Sequence, residues 1–216
     1  MLLGSAASAL GLSDLSSADA SAGVRAALER GSAVAVAKLG VTDGFFGNPQ
    51  VKIGLPGALK KGESALRMLG MGKQTDDLVL SMNRAAEAAV PAAKPLLINA
   101  VHAMSLSDAK AILSGGDGSV TRFFKDKTQG SLTVKFLPIV RQATQRVGLA
   151  QKYNALAGEG SKLGLVSGDA ASVEQYVTQR ALDGLYLLIE QEEQAIRRDP
   201  VGTGSALLGK VFGALR

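Results

Sequence analysis

The sequence predicts an all-α fold, a single compact multi-helix domain with proline-interrupted long helices. Two observations carry this expectation. Apolar residues recur at helical spacing along most of the chain, and no convincing run of alternating strand residues appears. The hydrophobic fraction is 46%, yet aromatics make up only 4% and Trp is absent, so the core must be built mainly from Ala, Leu, Val, Ile and Met. Such side chains suit closely packed helices. A chain of 216 residues is long enough to bury a continuous core, and a charged fraction of 20% is too low for a disordered chain.

Taken in order, residues 1–12 read as a tail or signal-peptide remnant and residues 13–216 as the helical domain. Ala7-Ser8-Ala9 has the small-x-small form of a signal-peptidase site, although no basic stretch precedes it. Asp19 or Ser21 is suited to cap a first helix running to about Leu39, where Gly40 stops it. Residues 40–57 carry the turn signals Asp43-Gly44, Gly47-Asn48-Pro49, Gly54 and Pro56. Their Phe45, Phe46, Val51, Ile53 and Leu55 predict a connector pinned to the core. A second helix is expected over 56–69, and Thr75 is expected to cap a long segment to Met104 that Pro91 and Pro95 split or kink.

Short helices are predicted over 107–113, 119–127 and 149–157, with a longer one over 131–147 bent or started at Pro138. Residues 158–171, rich in Gly and Ser, read as a loop. A last long helix is expected over 172–198, closed by Pro200, and residues 203–214 form a terminal amphipathic segment.

Charge and composition narrow the function. The net charge of +5 favours anionic surroundings, whether membrane head groups, nucleic acid or envelope polymers. Basic residues are spread out and interleaved with acidic ones, with no arginine-rich arm or zinc-finger spacing, which argues against nucleic-acid recognition. Cys is absent, so disulfides, thiol catalysis and thiolate metal sites are excluded. His102 is the only histidine and lacks metal-helix spacing, so no metal site and no cofactor is expected. No apolar run reaches transmembrane length.

Residues 82–91 stand out because they place Asn83, Arg84 and Glu87 on an alanine-rich helix that Pro91 interrupts. Leu78, Met82, Ala85 and Ala89 fall on one arc and form the core stripe, leaving the three polar residues on other faces. Arg84–Glu87 and Asn83–Glu87 have spacings that allow local pairing. The cluster reads either as a solvated face or helix-joining network, or as a polar patch for a ligand or partner.

Several other features admit a plain structural reading. Glu190, Glu192 and Glu193 look like a solvated face, with Glu193–Arg197 in a favourable i,i+4 orientation. Val177, Ala181, Gly184, Leu185 and Leu188 form the buried side of that helix, and Gly184 predicts close approach of another helix. The loops at 115–119 and 158–162 lack phosphate-loop spacing. Leu207, Leu208, Val211, Phe212 and Leu215 line one side of the terminal segment. That stripe suits docking on the domain's own core, with a membrane or partner helix as the alternative.

Specific strings also carry a family resemblance. They include Leu15-Ser16-Ser17-Ala18-Asp19-Ala20, Thr42-Asp43-Gly44-Phe45 and Ile53-Gly54-Leu55-Pro56. Met82-Asn83-Arg84-Ala85-Ala86-Glu87, Asp108-Ala109-Lys110-Ala111-Ile112-Leu113 and Ala181-Leu182-Asp183-Gly184-Leu185 follow in the same order. Together they resemble domain-of-unknown-function family 4197, a bacterial family, from about residue 11 onward. The resemblance implies a helical protein, commonly made with an export signal, and supplies no catalytic residues.

The expected function is therefore a non-enzymatic protein of the periplasm or cell envelope that binds an apolar ligand, a lipid surface or a protein partner. A cytoplasmic location is the alternative. A small enzyme using Asn83, Arg84 and Glu87 with His102 is a second reading, and a structural interaction module a third.

Overall fold

The computed structural model describes residues 16–146, 148–162 and 172–213, and among them every regular element is helical. Helix α1 spans Ser17–Leu39 and is capped by Ser16, whose hydroxyl accepts the Asp19 N–H at 3.0 Å. The cap thus lies upstream of the expected Asp19, which instead occupies the positive first turn. Gly40 closes the helix by donating its N–H to the Val36 carbonyl.

After the connector, the chain enters a bent helical run. Helix α2 (Gly57–Lys61) and helix α3 (Glu63–Leu66) lead into a wide π turn at Arg67–Met71. Gly70 adopts φ 82° there, a value that favours glycine, and lets helix α4 (Gly72–Ala89) leave in a new direction. Thr75 therefore lies inside α4 and not at its start. Its buried hydroxyl donates back to the Met71 carbonyl.

Pro91 ends α4 as expected, in a tight 3₁₀ turn over Val90–Ala92. Pro95 does not split the next helix, α5 (Ala93–His102). It falls in the first turn, where its missing N–H has no intrahelical partner to lose. Helix α6 (Leu106–Ser114) opens with a reciprocal cap between Ser105 and Asp108.

The largest departure from expectation is helix α7, which runs unbroken over Ser119–Arg146 where two helices were predicted. Pro138 sits inside it. The carbonyl it deprives of a donor belongs to Val134, a residue 73% exposed, so water can satisfy that group. Helix α8 (Leu149–Lys162) takes in the first part of the predicted 158–171 loop, and residues 163–171 lie outside the described residues. Helix α9 (Val173–Arg198) starts from a Ser172–Gln175 capping box, and helix α10 spans Ala206–Gly213.

Helix α9 packs against α7, α1 and α4, while α1 also meets α5, α6 and α10. One hydrophobic core runs from Val24 to Phe212. Ala85, Ala86, Ala89 and Ala93 are fully buried or nearly so, and their small side chains let the α4–α5 run approach its neighbours closely. Phe45, Phe124, Phe136, Tyr186 and Phe212 fill the wider gaps. Among the described residues no single helix is long and apolar enough to cross a membrane.

Candidate functional site

The core stripe of α4 is buried as its spacing predicts, but Asn83 and Glu87 are buried with it, at 0% and 5% exposure. The connector folds over that side of the helix, which converts the expected polar face into an internal latch. Asn83 Oδ1 accepts the Ile53 N–H at 2.8 Å, and its Nδ2 donates to the Ile53 carbonyl at 2.8 Å and to the Val79 carbonyl at 2.7 Å. One side-chain amide thus does for Ile53 what a neighbouring strand would do.

Glu87 holds the other end of the connector. Its Oε1 accepts the Phe45 and Phe46 N–H groups at 3.1 Å each, and its Oε2 accepts from Arg84 at 2.7 Å. Arg84 also reaches Asp43 at 2.7 Å, so both of its terminal nitrogens are engaged by carboxylates. Glu87 first, and then Asp43, hold the guanidinium firmly in its charged form. Asp43 itself has φ 65°, a left-handed turn residue held in place by that ion pair. The pairing of Arg84 with Glu87 matches the sequence spacing. The long-range partners in the connector carried no signal at all in helical periodicity.

Pinned at both ends, the connector drives Phe45 into the core against α9. A Cβ on Gly184 would lie 2.7 Å from the Phe45 ring and 3.2 Å from Val51. The close approach that Gly184 predicts is therefore real, but the approaching group is this ring and not another helix. Val51, Ile53 and Leu55 are buried while Lys52 and Gly54 are exposed. This is an extended segment with alternating sides, short enough to escape notice in the sequence.

Between this segment and α9 lies an open cleft of about 390 Å³. Its lining is mixed: Val51, Ile53, Leu55 and Leu187 lie among polar and charged groups that include Gln50, Lys52, Lys60 and Arg180. Among the described residues Asp183 is the only acidic one lining it, and that carboxylate already faces Arg180 at 3.5 Å and accepts from Gln179 at 2.9 Å. Tyr176, beneath the Arg180 guanidinium, donates its hydroxyl to the Gly54 carbonyl at 3.1 Å. Lys52 rests over the Phe46 ring at 4.0 Å. Cations in a mixed polar and apolar cleft can hold an anionic group while neighbouring apolar side chains contact other parts of the same ligand.

The remaining candidates are placed elsewhere. Leu208, Val211 and Phe212 are buried and Leu207 is half-buried, so α10 docks on α1, where Gly23 leaves room for Val211. Leu215 lies outside the described residues. His102 sits on the surface 3.4 Å from Glu29, whereas Glu87 is enclosed by the connector. The structure therefore gives the two residues different partners.

Of the acidic run of α9, expected as a solvated face, Glu190 and Glu192 are part-exposed but Glu193 is not. Glu193 is buried and pairs with Arg197 at 3.0 Å, with Ser119 3.2 Å from the same oxygen. Glu192 bonds to Lys38 across to α1. Beside Glu193 lies a pocket of about 10 Å³ lined by residues that include Leu28, Ile196 and Phe212. That is room for about one water. No group of three potential metal ligands occurs among the described residues.

The described residues thus form an all-helical core that clamps its own connector beside a basic cleft. The chain belongs to the family described as "Protein of unknown function (DUF4197)", which it matches over residues 14–213. No curated protein and no solved structure matches it.

Proposed function

We propose that the protein is a non-enzymatic binding protein of the periplasm or cell envelope whose cleft between residues 50–57 and α9 captures an anionic, partly apolar ligand or partner. The observation that carries this reading is the cleft's charge. Lys52 and Lys60 face no carboxylate within ion-pair distance among the described residues, and the single acidic lining residue is already engaged. Lys60 sits on the exposed rim, so an anion can be neutralised there without burying a lone charge. The net charge of +5 supports an environment of acidic polymers and head groups.

Two earlier readings receive less support from the geometry. A purely apolar ligand needs an enclosed cavity, and the pocket beside Glu193 has space for only about one water. A reaction at Asn83, Arg84 and Glu87 needs accessible polar atoms, whereas those of Asn83 and Glu87 are spent on the connector.

The test is titration with soluble polyglutamate and polyphosphate at low and physiological salt, using wild-type protein and a Lys60→Glu/Arg180→Glu double variant. Binding by wild type that weakens with salt and vanishes in the double variant is the expected result. Equal binding by both proteins would remove the cleft from the reading. Cell fractionation checks the location, and recovery in the cytosol alone would reject it.

A further inference from the structure

We infer that the cleft recognises an extended acidic peptide segment, which adds as a parallel strand beside residues 52–55. This rests on the reading of the cleft as an anion site and specifies its partner. Ile53 exchanges both of its backbone hydrogen bonds with Asn83, so that edge of the segment is occupied. In an extended chain the next residue points its N–H and C=O the opposite way. Gly54 does so, because its carbonyl accepts from Tyr176, a residue lining the cleft.

That opposite edge is only partly used. The Gly54 N–H and the Lys52 carbonyl have no hydrogen-bond partner among the described residues. A free carbonyl followed two residues later by a free N–H is the pair that one residue of a parallel strand engages. Gly54 adds to this. It has no positive φ and no atom within 4 Å of where a Cβ would stand, so neither backbone strain nor internal packing explains it. A glycine in an extended segment commonly marks close approach of another backbone.

The side chains set the chemistry of the partner. Lys52, Lys60 and Arg180 line the same cleft, which matches acidic residues on one face of an added strand, while the part-exposed Leu187 offers apolar contact to the other. A free backbone edge favours a peptide over a lipid, since a head group has no ladder to complete.

The experiment uses the full chain and a fluorescein-labelled nonapeptide of alternating Asp and Val. A second peptide of the same sequence is N-methylated at its central residues, which keeps its charge but removes backbone donors. Fluorescence polarisation gives affinity, and amide exchange at Gly54 gives the contact. The inference expects binding by the first peptide, about tenfold weaker binding by the methylated one, as for losing one or two hydrogen bonds, and slowed exchange at Gly54. Equal binding by both peptides, lost in Lys60→Glu/Arg180→Glu, would overturn strand addition and leave the anion cleft standing. Binding of phosphatidylglycerol vesicles alone, lost in the same variant, would overturn the peptide and keep the cleft. No binding of peptide, vesicle or polyanion would overturn both.

Discussion

Asn83→Ala is the sharpest test of the latch. The substitution removes the partners of the Ile53 N–H and carbonyl in one step, and Ile53 is 2% exposed. Each buried backbone group left unpaired costs about 1–3 kcal/mol. The Val79 carbonyl keeps its helical bond and adds little. Two orphaned groups therefore suggest roughly 2–6 kcal/mol, and water entering beside exposed Lys52 and Gly54 lowers this to about 2–4 kcal/mol. For a chain of this size that corresponds to a fall in Tm of about 4–16 °C.

Urea and thermal denaturation followed by circular dichroism measure the loss, and amide exchange at Ile53 locates it. Glu87→Gln, which keeps an acceptor for Phe45 and Phe46 but loses the ion pair to Arg84, provides the companion variant. Because both residues hold one connector, the double variant should lose less than the sum of the two. A loss below about 0.5 kcal/mol for Asn83→Ala, with Ile53 exchange unchanged, would refute the latch, since surface substitutions fall in that range.

Other consequences follow from the same packing. Gly184→Ala gains about 1 kcal/mol of helix propensity but drives a methyl to 2.7 Å from the fully buried Phe45 ring, and net destabilisation on the order of 1 kcal/mol is expected by urea denaturation. Gly23→Ala meets the Val211 side chain, so it should loosen α10 and speed amide exchange in residues 206–213. Deleting residues 203–216 uncovers the α1 face under Val211 and Phe212, and a large fall in Tm is expected; unchanged stability would mean that α10 contributes no packing. Lys210 first, then Ser16, hold the Asp19 carboxyl below its ordinary value of 3.8, and the Ser105 backbone followed by its hydroxyl does the same for Asp108. A depressed folded-state value stabilises above the unfolded value and is lost as pH falls through the folded one. Tm should therefore drop below about pH 4, and less steeply in Asp19→Asn and Asp108→Asn.

The helical class was legible because it rests on local periodicity. Leu78, Met82, Ala85 and Ala89 are buried as their spacing requires, and the buried side of α9 follows the same rule. Breaks were read less well, because a proline or glycine shows what a helix loses locally and not what surrounds it. Pro138 is tolerated where Val134 faces water, and Pro95 where no donor was needed. The latch was half legible: Arg84–Glu87 is a spacing within one helix, but Asn83–Ile53 joins residues 30 apart. Amphipathic spacing assigns polar residues to solvent unless something covers them, and the cover here is irregular backbone with no period of its own. The cleft was missed for the same reason, since Lys60 and Arg180 come from distant segments.

The meeting of Gly23 with Val211 bears on how the chain reaches this structure. Val24 and Leu28 lie on the first helix, and Phe212 helps to cover that helix from the last one. About 170 residues separate the end of α1 from the start of α10, roughly 8–35 s of synthesis at about 5–20 residues per second. For that interval the emerging chain keeps an apolar face that nothing yet made can close. Helices α5, α6 and α9 can cover their parts of α1 earlier, but the strip under Val211 and Phe212 is closed only once α10 has been made.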